Sequence, residues 1–167
     1  MSMKNLIALV VFAMILNLNL STARAAQWDF LVDMTNGLPK CTYYIESSTV
    51  FCDKLSKEEV IFHAFLKSVY TSEGRRQRLQ HWLDNHGRLP AGAENISYSV
   101  LLEYFRWTNG VKYYAVDSET VCTADGSVVH EMSYTRSWHN WNIAKPGAIS
   151  DVLFDAVFAV LCERLRS

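Results

Sequence analysis

Much about the fold hangs on SKEEVIFHAFLKSVYTS, Ser56–Ser72. Ser56 and Glu59 stand at the spacing of a capping box, in which each side chain satisfies the other residue's backbone N–H at a helix start. Phe62, Phe65, Leu66 and Val69 then recur at helical spacing. The segment is expected to be an amphipathic helix.

The flanking stretches read the same way. TSEGRRQRLQHWLDNHGRLPAG, Thr71–Gly92, is expected to form a helix closed by Gly87, since glycine supplies a left-handed stop. NISYSVLLEYFRWTNG, Asn95–Gly110, places Ser97, Leu101, Tyr104 and Phe105 near one helical face, with Gly110 past the end. A last helix is expected from Ser150, with Leu153, Val157, Leu161 and Leu165 on one stripe. A shorter one is expected over Trp28–Thr35. Between the third and last long helices the period changes. TVCTADGSVVHEM holds Asp125-Gly126 between two β-prone runs, a signal for a small hairpin. The expected fold is mainly α, a small disulfide-stabilised domain of about four to five helices with a short β-hairpin.

The N-terminus reads as an export leader. Lys4 precedes LIALVVFAMIL, Leu6–Leu16, and Ala23 and Ala25 mark a small-residue exit. The apolar run is shorter than the roughly 20 residues that span a bilayer. Residues 1–25 are thus expected to be a signal peptide and residues 26–167 a single helical domain of a secreted protein. Removing the leader takes away Lys4 and Arg24 and no acidic group, so the formal charge moves from -1 to -3. That balance argues against a general nucleic-acid or membrane binder, both of which need excess positive charge, and no stable membrane insertion is expected.

Cys41, Cys52, Cys122 and Cys162 all follow the leader. An even count in a small secreted domain implies two disulfides. Three pairings are open; Cys41–Cys52 with Cys122–Cys162 is favoured, because the first pair flanks an expected reversal at Glu46–Thr49. No close Cys/His spacing suggests zinc. Asn95-Ile96-Ser97 is an acceptor for N-glycosylation.

Chemistry is scarce. No nucleophile elbow, zincin helix, P-loop or dinucleotide fingerprint occurs. His130, Glu131 and His139 could be combined with Ser127 or Lys112 only by assuming a geometry that spacing does not supply. No catalytic residue, cofactor or metal is expected. His81 and His86 lie about 140° apart round a helix and cannot share a metal. Arg75, Arg76 and Arg78 sit in the first turns of their helix, where the dipole disfavours each exposed cation by about 0.3–1 kcal/mol. Arginine is enriched at interfaces, so these three are candidates for partner binding. Trp138 and Trp141, flanking His139, form an aromatic cluster of the kind that anchors partners.

The leader, the mature length, the opening QWDFLVDMTNG, the four cysteines and the absence of enzyme motifs together resemble the anophensin/albicin family of small anopheline mosquito salivary proteins. The resemblance implies an α-helical, disulfide-held, non-enzymatic inhibitor of a host plasma defence cascade. It would block the alternative complement pathway or kallikrein–kinin contact activation by contact with a plasma protein or cascade complex. The layout also resembles that of odorant-binding-like carriers, which implies an internal pocket for small amines or lipids.

Overall fold

The computed structural model describes residues 26–35, 40–134 and 141–166. Among them the chain is mainly β, not mainly α. Eight antiparallel strands form one sheet: β1 (Asp29–Asp33), β2 (Cys41–Ile45), β3 (Phe51–Leu55), β4 (Glu59–Tyr70), β5 (Ile96–Thr108), β6 (Val111–Thr123), β7 (Val128–Ser133) and β8 (Asn142–Ile143). Their order is β1-β2-β4-β5-β6-β7, with β3 beside β4 and β8 beside β6. Two helices accompany the sheet, α1 (Ser72–His86) and α2 (Ile149–Arg166).

The segment expected to be the first long helix is β4. Val60, Phe62, Ala64, Leu66 and Ser68 are buried along it while the residues between them are not, a period of two. Phe62 and Leu66 therefore face one side of the sheet, and Phe65 and Val69 the other. Apolar residues on both faces produced the helical spacing by coincidence. The Ser56–Glu59 contact is present, but it closes a turn: the Ser56 hydroxyl accepts from the Glu59 N–H at 3.0 Å, where β3 reverses into β4. The expected third helix is β5, and Asn109 and Gly110 (φ 51° and 79°) form the tight turn into β6. That left-handed pair matches the twist of the flanking strands. The residues from Trp28 to Thr35 supply β1 rather than a helix. Around Asp125-Gly126 a hairpin joins β6 to β7.

Both helices cover the same sheet face. On α2, Leu153, Phe154, Val157 and Leu161 pack with Ile45, Phe62, Leu66 and Phe105. The Phe62 ring stacks on Phe105 and meets Phe154 edge-on, each at 5.2 Å. On α1, Trp82 packs with Ile96 and Val121 in a separate cluster. The sheet face thus carries two apolar cores with a seam between them.

Each helix is tied at its ends. The Thr71 hydroxyl accepts from the Gly74 N–H at 3.0 Å and donates to the Lys40 carbonyl at 3.0 Å, and Gly87 closes α1 in the left-handed region. Lys112 holds Asp151 and Asp155 of α2 at 2.7 and 2.6 Å, and Arg164 donates to the carbonyls of Ser47, Ser48 and Val50. A Cβ at Gly74 would lie 1.9 Å from the Lys40 carbonyl oxygen. Gly74→Ala is therefore expected to destabilise the chain by at least the ~1–3 kcal/mol of an overpacked core, measured as a lower urea midpoint.

The expected disulfides do not form: no bridge joins the four cysteines. Residues 47–49 make a single 3-10 turn that interrupts the chain without reversing it, so β2 and β3 run on along the same edge of β4. Cys41 stands opposite Tyr70 and Cys52 opposite Phe62. Eight residues of strand put them about 27 Å apart, whereas bridged Cα atoms lie within about 7 Å. Cys122 faces Tyr98 near the α1 core, while Cys162 follows Leu161 in the α2 core. Burial, chiefly, pushes the Cys41 thiol up to about 11, which makes it a poor nucleophile. Protein isolated without reductant is expected to carry four alkylatable thiols, the half-buried Cys52 and Cys162 labelling before the buried Cys41 and Cys122. Mass spectrometry after timed alkylation reads this order; a mass lower by two hydrogens per bridge would contradict it.

Candidate functional site

A sheet face covered by helices should be apolar, because polar groups lose their water there. The covered face keeps that rule at its ends and breaks it in the middle. Along β4, β5 and β6 the period of two points Ser68, Ser99, Glu103 and Glu119 inward, and all four are buried. Register assembles them. Ser68 lies opposite Ser99 and also opposite Tyr43 of β2; Leu101 lies opposite Glu119; Glu103 lies between Ala64 on β4 and Val116 on β6.

Most of this cluster is internally satisfied. Tyr70 and Ser99 share a hydrogen bond of 2.5 Å, and Ser68 adds a second contact to the Tyr70 hydroxyl. Arg78 descends from α1 to Glu119 at 2.6 Å, with its guanidinium over the Trp82 ring. Tyr43 bonds to the Cys41 thiol. Burial, first, and then the negative potential of Cys41 and Glu103 push the Tyr43 phenol well up. Burial, followed by the Glu119 charge, raises Tyr70. These phenols stay protonated and act as donors. The enclosed Nε of Arg78 has no partner among the described residues.

Glu103 is the exception. It is 4 % exposed, yet its carboxyl makes no hydrogen bond and no ion pair with any described residue. Desolvation alone pushes this carboxyl up to about 8. Ala64, directly opposite, is itself fully buried, and Glu103 lies on the covered face between the α1 and α2 clusters. Leu101 and Val116 share that face and are only half-buried.

The residues singled out from sequence are placed apart. Arg78 points inward to Glu119, Arg75 is half-buried, and Arg76 is 80 % exposed, 3.9 Å from Glu73. Trp141 is half-buried near the Arg106 guanidinium, which bonds to Glu59 at 2.6 Å; Trp138 and His139 lie outside the described residues, as does the expected leader. Asn95 is exposed at the end of a 3-10 turn, accessible for modification. His130 meets Trp82 edge-on, whereas Lys112 is engaged by α2 and Ser127 lies in the β6–β7 turn, so no acid–base set joins them. Among the described residues no three His, Cys, Asp or Glu side chains are grouped to hold a metal, and no helix is long and apolar enough to cross a membrane. Sequence reasoning missed Glu103, whose signal is a lone charge inside the apolar run Val100–Phe105.

Comparison of the chain with family models, with curated proteins and with solved structures gives no match in any of the three.

Proposed function

We propose that the chain is a secreted carrier of a small organic ligand, bound on the covered sheet face between α1 and α2 with Glu103 as its polar anchor. The single observation behind this reading is the buried Glu103 carboxyl, which has no partner among the described residues. An isolated buried ionisable group destabilises a fold unless a partner arrives, and a ligand is such a partner. The half-buried Leu101 and Val116 offer the apolar walls that small-molecule sites use, and Tyr43, Tyr70, Ser68 and Ser99 the few convergent polar groups. Secretion follows from the leader expected over residues 1–25. The inhibitor reading came from the family resemblance and has no side-chain arrangement of this kind behind it, so the carrier is the one taken here.

Thermal denaturation against panels of amines, alcohols, carboxylic acids and fatty acids tests this. A ligand at about a hundred times its Kd adds about 2.7 kcal/mol, which raises Tm by several degrees in a domain of this size. Val116→Trp, at a half-buried position on the same face, should abolish the shift while circular dichroism remains that of the parent. No shift with any class would overturn the reading.

A further inference from the structure

We infer that the open face of the sheet, opposite the one that carries Glu103, is the interface of a two-fold dimer with a second copy of this chain. Both helices pack on the other face. The alternation that buries Phe62, Leu66 and Phe105 turns Ile61, Phe65, Val100, Leu102, Tyr104 and Ala115 outward on β4, β5 and β6. These are half-buried or, at Phe65, 38 % exposed. A contiguous apolar field of this kind marks an interaction site. Its extent is that of a stable interface. From Glu59–Thr108 to Val69–Tyr98 the β4–β5 ladder is about 34 Å long, and β4, β5, β6 and β7 together are about 19 Å wide. That is roughly 650 Å² for each copy and about 1,300 Å² for the pair, within the range of specific protein–protein interfaces.

The strand register makes this face complementary to itself. Lys67, Val100, Thr120 and Glu131 form one row across β4, β5, β6 and β7. Lys67 lies over the Tyr98 ring, and Glu131 is exposed. Neither has an ion-pair partner among the described residues. Within one copy three strand spacings, about 14 Å, separate them. A two-fold axis along the strands, midway between β5 and β6, reverses the row, so that Lys67 of each copy meets Glu131 of the other. The same axis sets large side chains over small ones. Leu102 meets Ser118, Tyr104 meets Ala115 and Phe65 meets Ser133, while Ile61 meets Ile143 at one end. Large against small lets two sheets interdigitate at their usual spacing of about 10 Å. A two-fold dimer requires a patch in which i contacts j and j contacts i. A second copy already carries both halves of that match, in charge and in shape.

Sedimentation equilibrium of the mature chain, from low to high micromolar concentration, tests this and should show a monomer–dimer equilibrium. Phe65→Glu should leave a monomer with the circular dichroism of the parent. Lys67→Glu should raise the dimer's dissociation constant about tenfold or more, because two like-charge contacts replace two ion pairs, and the effect should fade in high salt. Exchanging the charges, Lys67→Glu with Glu131→Lys, should return it to within about threefold of the parent, a recovery that contact between copies explains. Zero-length carbodiimide coupling should join Lys67 to Glu131 in a species of twice the chain mass. A monomer at every concentration overturns the dimer. So does a dimer indifferent to Phe65→Glu or to Lys67→Glu, or a Lys67→Glu loss that the charge exchange leaves unrestored. If Phe65→Glu does not fold, the charge exchange and the coupled peptide decide.

Discussion

Replacing Glu103 with Gln is expected to raise the free energy of unfolding at pH 7 by about 3 kcal/mol and to change it little at pH 4. The sign follows from the direction of the shift. Burial pushes the folded carboxyl's titration up to about 8, against an ordinary value of 4.5. Below the lower value both states keep the proton, and glutamic acid and glutamine are near equivalents. Between the two the unfolded chain releases its proton and the folded chain does not, so the parent loses about 1.4 kcal/mol per pH unit. Above the folded value both states are ionised and the slope vanishes. Glutamine has no proton to lose and escapes the whole decline. Glu59, Glu73, Asp125 and Asp151 act in the opposite sense. Their carboxyls are lowered, chiefly by hydrogen bonds from Lys54, Lys40, Thr123 and Lys112 respectively, so they add stability that is lost as pH falls. Parent and variant share these four, and the difference between them isolates Glu103. Urea unfolding from pH 4 to 9 measures it; parallel curves would mean that the carboxyl is solvated.

The two helices were legible, α2 from its one apolar side and α1 from its glycine stop. Leu153, Val157 and Leu161 are buried along α2, and Gly87 ends α1 with a positive φ. The long strands were not, for a physical reason. β4 and β5 are central strands with aromatic and β-branched residues on both faces: Phe62 and Phe105 under α2, and Phe65 and Tyr104 on the opposite side. Two superposed period-two patterns give apolar residues at i, i+3, i+4 and i+7, which is also a helix's signature. The local contacts are degenerate too. A serine accepting from the N–H three residues on serves a helix start or a reversal equally, and at Ser56 it serves the reversal. The Asn109-Gly110 pair was the clearest hairpin signal in the chain, yet beside an apparent helix it passed for a stop. Once β4 is a strand, that pair and the apolar run before it agree on a hairpin. The candidate site was hidden by the same error. On a helix Glu103 would be one charge on a wet flank; on β5 the alternation that buries Phe105 buries Glu103 as well.

The arginines at the start of α1 lead to the other large effect. Arg78→Met is expected to destabilise the chain by about 3–5 kcal/mol, as does breaking other buried pairs by removing one partner. The Glu119 side chain is 7 % exposed, and without Arg78 its carboxylate would stay in the sheet face uncompensated. A cation near the positive end of a helix dipole is otherwise unfavourable; at Arg78 a carboxylate 2.6 Å away offsets it, and at Arg76 the weaker Glu73 contact at 3.9 Å does so in part. Glu119→Leu alone should also destabilise, by less, since Arg78 is 21 % exposed and can reach water. The double variant should recover most of the loss. Its parent pair is imperfect, with the Arg78 Nε enclosed and unpartnered, and Met and Leu extend the apolar cluster of Trp82, Leu79 and Val121. Urea midpoints of parent, both single variants and the double variant close the cycle. Additive losses with no recovery in the double variant would show that the two side chains act separately and that the cluster beside Glu103 is held by packing alone.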